Sequence, residues 1–191
     1  MYKGEWLNDK RDGYGTLIMK DEMEYRGMFK EDQIHGKGTQ LTVCGDVYTG
    51  DWVCNVRQGK GTLNQSNGQS YTGEWNNNKM DGTGRNFWPD GSFYEGQFSR
   101  GYRHGKGKYR FANGAMYVGE FHFNTMHGHG VFTQVNSVKY TGRFVNNMRQ
   151  GTGHLTYANG VHYIGEFENN KRHGKGKLIY RDGSEFYGSW I

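Results

Sequence analysis

The sequence predicts an all-β protein, an elongated single-layer array of antiparallel β-hairpins drawn out as a twisted rod. Three observations predict it. A pattern of 23 residues repeats without insertion along the chain, side chains alternate strictly within each repeat, and the composition joins 32 Gly and 16% aromatic residues to only 34% hydrophobic content and a single Pro. A globule of 191 residues would need more aliphatic side chains to fill its core. Disorder is excluded as well, because disordered chains are poor in aromatics.

The repeat begins at Tyr2, Tyr25, Tyr48, Tyr71, Tyr94, Tyr117, Tyr140 and Tyr163, and Phe186 opens a partial ninth, so residues 1–191 read as one array. Gly follows two positions after each start, as Gly27 follows Tyr25, and Trp or Phe comes two further on, as in Phe29, Trp52 and Trp75. This alternation places Tyr, Gly and the aromatic on one face of a strand, with Glu5, Asp51, Glu74, Glu120 and Glu166 on the other. A polar stretch of about six residues, such as Asn76 to Asp81, is expected to turn the chain. A Gly-x-Gly-x-Leu stretch, as in Gly174 to Leu178, then returns as the second strand. One of its glycines should lie opposite the Trp or Phe and leave room for the ring over bare backbone. A Gly-bearing turn closes most repeats, but Asp21-Glu22 and Asn136-Ser137 lack Gly, and a local bend or looseness is expected there. Each hairpin is marginal alone, so the rings must stack between repeats. At roughly 4.8 Å per strand the rod would be about 80 Å long.

The residues Tyr-x-Gly-x-Trp/Phe, six intervening positions and Gly-x-Gly resemble the MORN motif (membrane occupation and recognition nexus) over essentially the whole chain. The resemblance implies a shallow aromatic groove, here Tyr71, Trp75, Tyr94, Phe98, Tyr117, Phe121, Tyr140 and Phe144, serving as stacking core and as a seat for a helix or extended peptide. It also implies a structural scaffold in the cytoplasm, at the cytoskeleton and peripheral to membrane, with cytoskeletal or membrane-associated proteins as partners. Array-only chains with Asn-rich tips (Asn76-Asn77-Asn78, Asn146-Asn147, Asn169-Asn170) look like the apicomplexan and kinetoplastid scaffold members of the basal complex in cell division. The runner-up is a phospholipid-headgroup or peptide-binding module of an axonemal or membrane-junction complex.

Catalysis is not expected. The Gly-x-Gly pairs run into strands and not into the helix N-terminus a phosphate loop needs. There is no Gly-x-Ser-x-Gly elbow, and acidic residues recur by repeat instead of converging. No cofactor is expected, with zinc as the one alternative: Cys54 beside His35, and His104, His122 and His127 along one edge, each set short of four ligands. Cys44 and Cys54 read as separate thiols, about 20 Å apart. Among the cations, Arg100, Arg103, Lys106, Lys108, Lys171, Arg172 and Lys175 read either as a solvated edge or as contacts for anionic phospholipid, given the net charge of +5. Specific nucleic-acid binding is not expected. The C-terminal residues Tyr163, Phe167, Tyr180, Phe186, Tyr187, Trp190 and Ile191 are expected to join two copies in a homodimer. No apolar run is long enough to span a bilayer, and the start lacks a signal-peptide core, which underlies the cytoplasmic expectation.

Overall fold

Alternation and frequent glycine give strands and tight turns throughout the computed structural model, which describes residues 1–19 and 22–191 and has no helix among them. Residues 1–89 with 98–101 form one compact unit, and residues 90–97 with 102–191 a second. The first carries four hairpins: β1 (Tyr2–Leu7) with β2 (Lys10–Ile18), β3 (Glu24–Lys30) with β4 (Gln33–Leu41), β5 (Val47–Val53) with β6 (Val56–Asn64), and β7 (Ser70–Asn76) with β8 (Lys79–Phe87). Strand β9 (Phe93–Ser99) contributes residues to both units. The second unit runs through β10 (Tyr102–Arg110), β11 (Met116–His122), β12 (Thr125–Thr133), β13 (Lys139–Val145), β14 (Met148–Thr156), β15 (His162–Glu168), β16 (Lys171–Ile179) and β17 (Glu185–Trp190). Within each unit, consecutive strands pair antiparallel in chain order.

The hairpin turns are tighter than the sequence suggests. Asn76 pairs with Lys79, so two residues reverse the chain where about six were expected. Both turn residues have positive φ, 49° and 63° at Asn77 and Asn78, and the same holds at Asn8-Asp9, Glu31-Asp32, Cys54-Asn55, Phe123-Asn124, Asn146-Asn147 and Asn169-Asn170. This is the type I′ turn, whose twist matches that of the flanking strands and which favours Asn, Asp and Gly. The Asn pairs therefore have a local conformational cause. Between repeats a second turn recurs, in which Gly68 at φ 85° donates its N–H to the Gln65 carbonyl. Where Gly is missing, Glu22 and Ser137 take φ 65° and make the same bond, to Met19 and Gln134. Asp21 lies outside the described residues.

A row of glycines crosses each sheet, and it fixes the core. Gly27 pairs with Gly15 and Gly38, Gly50 with Gly38 and Gly61, and Gly73 with Gly61 and Gly84. The Tyr of each hairpin lies across this bare backbone: a Cβ on Gly61 or Gly84 would overlap the ring of Tyr48 or Tyr71. A bulge beside the row explains where the hydroxyl goes. The register shifts between Gly50 and Trp52, and between Gly73 and Trp75. The residue in between presents its carbonyl to the Tyr hydroxyl, which donates over 3.1 Å from Tyr48 to Asp51 and 2.8 Å from Tyr71 to Glu74. The same bond forms at Tyr2, Tyr25, Tyr94, Tyr117, Tyr140 and Tyr163. The extra residues of the bulge include the first glycine of each Gly-x-Gly, at φ 77° in Gly59 and 90° in Gly82. That glycine pairs with the Trp or Phe of the following repeat, as Gly36 does with Trp52 and Gly59 with Trp75.

Gly84→Ala is expected to lower stability by about 1–3 kcal/mol, because the methyl overpacks against the Tyr71 ring; a melting curve coincident with that of the parent would refute the glycine row. Alkali tests the same packing. Burial, opposed by the Arg57 charge, pushes the Tyr48 phenol up to about 12, and burial does the same to Tyr94 against Arg103, also to about 12. Folding thus favours the neutral phenol. Its contribution is intact below the ordinary phenol value near 10 and is lost as pH rises from about 10 towards 12. Absorbance at 295 nm should show a late ionisation phase that coincides with loss of the β-sheet circular dichroism; full ionisation with the fold intact would contradict it.

Candidate functional site

Because each repeat-opening Tyr and the Trp or Phe four residues later point to one face, each unit carries a continuous zigzag of rings. In the first unit the rings follow Trp6, Tyr2, Phe29, Tyr25, Trp52, Tyr48, Trp75, Tyr71 and Phe98, each meeting the next edge to face at centroid separations of 5.1 to 5.5 Å. The second unit repeats this through Tyr94, Phe121, Tyr117, Phe144, Tyr140, Phe167, Tyr163 and Trp190. Edge-to-face contact suits the ring quadrupole and adds about 0.5–1.5 kcal/mol per pair beyond burial. The groove residues expected from the sequence, Tyr71, Trp75, Tyr94, Phe98, Tyr117, Phe121, Tyr140 and Phe144, lie on this face but are themselves at most 5% exposed. They form the floor. A partner would meet what stands around them.

The rim is set by the second residue of each return strand, which opposes the Trp or Phe of its own hairpin: Arg57 opposes Trp52, Met80 opposes Trp75 and Met126 opposes Phe121. Arg and apolar residues alternate here through seven repeats, as Arg11, Ile34, Arg57 and Met80 in the first unit and Arg103, Met126 and Arg149 in the second, and Arg172 follows Arg149 in the eighth. The guanidinium of Arg57 lies 4.6 Å from the Tyr48 ring centre and 5.6 Å from that of Trp75, and Arg149 lies 5.5 and 5.3 Å from Tyr140 and Phe167. Burial on the rings pulls Arg57, Arg103 and Arg149 below their ordinary pKa values. These positions are held by the next hairpin turn. Asn78 donates its N–H to the Arg57 carbonyl and accepts the Arg57 N–H on Oδ1, and Asn170 does the same for Arg149. Between rim residues the face opens into shallow clefts. One, of about 310 Å³, is lined by Arg57, Leu63, Trp75, Lys79 and Met80 among others; another, of about 200 Å³, has Met126, Phe132, Tyr140, Arg149 and Leu155.

The opposite face is occupied differently. Asp51 Oδ2 accepts the Lys60 N–H over 2.9 Å, Gln97 Oε1 the Lys106 N–H over 2.7 Å, and Glu166 Oε1 the Lys175 N–H over 3.2 Å. The Asp, Gln or Glu after the first-strand glycine thus accepts from backbone freed by the bulge, a role the alternation pattern alone does not reveal.

The remaining candidates fall in several places. Arg103 and Arg172 sit over rings on the aromatic face, Arg100 lies in a turn with its N–H bonded to Asp81, and Lys106, Lys108 and Lys175 belong to the opposite face; Lys171 is exposed at the start of β16. The seven cations do not share one surface. The rings of His104 and His122 are 5.2 Å apart and those of His122 and His127 5.5 Å, with Nδ1 of His104 and His127 buried and unbonded. Even so, no three His, Cys, Asp or Glu side chains converge as a metal site among the described residues, Cys54 and His35 included. Cys44 and Cys54 are exposed free thiols. Of the C-terminal set, Tyr163 and Phe167 are interior, Trp190 packs 4.8 Å from Tyr163, and Tyr180, Phe186, Tyr187 and Ile191 are exposed.

The architecture has counterparts. The TCP10 domain of Danio rerio CPAP, in complex with a peptide of Danio rerio STIL, aligns with a TM-score of 0.56 at 9% identity, covering 99% of this chain and 84% of that one. A further structure of the wild-type TCP10 domain of Danio rerio CPAP gives 0.54 at 10%, covering 93% and 84%. The TCP domain of Drosophila melanogaster SAS-4, in complex with a proline-rich motif of Ana2, gives 0.51 at 10%, covering 93% and 90%. At such identities the likeness concerns the fold alone. No curated protein matches the sequence. The MORN repeat, by contrast, is found at residues 2–22, 25–41, 48–70, 71–93, 94–116, 117–137, 140–162 and 163–185. With eight repeats along nearly its whole length, the chain belongs to the MORN-repeat family.

Proposed function

We propose that the chain is a non-catalytic scaffold of the cytoskeleton–membrane interface that receives partner polypeptides on its aromatic face. The observation that carries this reading is the division of labour in each repeat. Tyr, Trp, Phe and both glycines are consumed in building the sheet, and what is left on that face is an apolar cleft with a polar rim. Such a surface binds side chains. The fold supports the same direction: two solved proteins of similar architecture hold peptides of their partners. A phospholipid headgroup remains the runner-up, and it is weakened by the division of the seven candidate cations between two faces. The Asn-rich tips, which pointed to the basal complex of dividing parasites, follow from the type I′ turns, so the proposal does not extend to an organism.

A photo-crosslinking residue placed at Met80 or Met126 should capture a polypeptide in the native cell, and one at Lys60 on the opposite face should not. Capture from Lys60 alone would overturn the assignment of the face. A second copy is proposed as a further partner, on the exposed Phe186, Tyr187 and Ile191. Light scattering at micromolar concentration should give a dimer that Phe186→Ser with Ile191→Ser dissociates; a monomeric parent would end that proposal.

A further inference from the structure

Two rim arginines, Arg57 and Arg149, carry a charge that no carboxylate of the described residues meets, whereas Arg11 is paired with Asp32 over 3.1 Å. Arg57 bonds the Gln40 side-chain oxygen over 2.8 Å and its own neighbouring turn, and Arg149 bonds the Asn170 carbonyl; neither forms an ion pair among the described residues. The two clefts they border contain Lys79 as a further cation and no Asp or Glu. The acidic residues at the same height in the repeat, Asp51, Glu74 and Glu166, face the other way and hold bulge N–H or hydroxyl groups there. Each guanidinium is half-buried on aromatic rings, so it has given up water on one side and keeps planar N–H donors on the other. A cation in that state is matched by a carboxylate, whose two oxygens fit the guanidinium fork.

Resting on the reading of the aromatic face as the partner-binding surface, we propose that its occupant is an acidic polypeptide segment, in which an apolar side chain fills the cleft and a neighbouring Asp or Glu meets Arg57 or Arg149. A lipid headgroup is a poorer match. Each arginine is recessed against the floor beside a cleft of about 200 to 310 Å³, a space that takes a side chain, whereas a membrane surface needs cations that protrude together from one face. The alternation of Arg with Ile34, Met80 and Met126 along the rim supplies the two kinds of contact, one for charge and one for apolar surface, in neighbouring repeats.

The test is selection from a random dodecapeptide library displayed on phage against the full chain. Selected sequences should place Asp or Glu beside Leu, Ile, Phe or Trp, and a synthetic peptide from that set should lose at least tenfold in affinity when its acidic residues become Gln. Arg57→Gln with Arg149→Gln, checked for an unchanged melting temperature, should abolish that difference while leaving the Gln peptide's affinity as it was. Selected peptides that bind the cleft without acidic residues would overturn the inference and leave the face intact as a binding surface. Enrichment no greater than on empty beads would overturn both. Binding to vesicles containing phosphatidylserine that requires the same two arginines, with no peptide selected, would replace the acidic segment with a headgroup. If the arginine variant melts early, the comparison of Glu and Gln peptides on the parent chain decides alone, and equal affinities refute the proposal.

Discussion

The structure depends on one steric arrangement: a tyrosine ring lying flat across glycines of its own hairpin, with its hydroxyl bonded to a bulge carbonyl. A single sheet ordinarily has no interior, since side chains on its faces look to solvent. Here the absence of Cβ atoms at Gly50 and Gly61, or Gly73 and Gly84, lowers the floor by a side-chain layer, and the Trp or Phe of two repeats closes over the ring edge-on. Tyr25, Tyr48, Tyr94, Tyr117 and Tyr163 reach zero exposure in this way without a second layer above them. The hydroxyl is as necessary as the ring, because the bulge leaves a carbonyl without a strand partner, and an unpaired buried carbonyl costs about 1–3 kcal/mol.

The invariance of the repeat length follows. A slip of one residue in any strand would turn its side chains to the other face and move glycine out from under the ring, so the row tolerates no insertion between turns. The turns obey the same economy. A two-residue type I′ reversal keeps the bulge at a fixed distance from the hairpin end, and its second residue reaches back to the preceding return strand, as Asn55 does to Ile34 and Asn147 to Met126. One residue thus sets the turn and ties neighbouring hairpins together. Gly101 in that slot keeps the backbone bond to Met80 and has no side chain to accept a second.

The strands, their faces and the ring stack were legible in the sequence because glycine and aromatic residues recur at fixed phase with a period of two inside a period of 23. The turns were not, since Asn8-Asp9, Cys54-Asn55, Arg100-Gly101 and Phe123-Asn124 share a conformation and little chemistry; only the φ of their backbone unites them. The sequence places Glu74 and Glu166 only on the face away from the rings, because alternation tells where a side chain points and is silent about the Thr83 hydroxyl or the Lys175 N–H it accepts from. The cations were the hardest to place. Arg103 and Lys106 are neighbours in a basic cluster, yet the bulge between them sends one over the Tyr94 ring and the other to the opposite face. A signal for the rim did exist, in the recurrence of Arg11, Arg57, Arg103 and Arg149 at every second repeat, but a reading tuned to the single repeat averages it with Ile34, Met80 and Met126.

The bulge also explains why the two faces differ in charge. By freeing backbone N–H groups on the side away from the rings, it draws Asp51, Glu120 and Glu166 to that side, where each accepts a bond from the return strand. The aromatic side receives no such donors, and a carboxylate there would lie against ring faces, whose negative quadrupole repels it and attracts a guanidinium. The acidic bulge residues are therefore drawn to one face and the arginines that oppose a Trp or Phe to the other, by the same local irregularity that seats the tyrosine, although Arg143 stands in the bulge slot itself. An aromatic face that is apolar at its floor and cationic at its rim is thus a consequence of how the repeat solves its own folding problem, and the partner chemistry it favours is inherited from that solution.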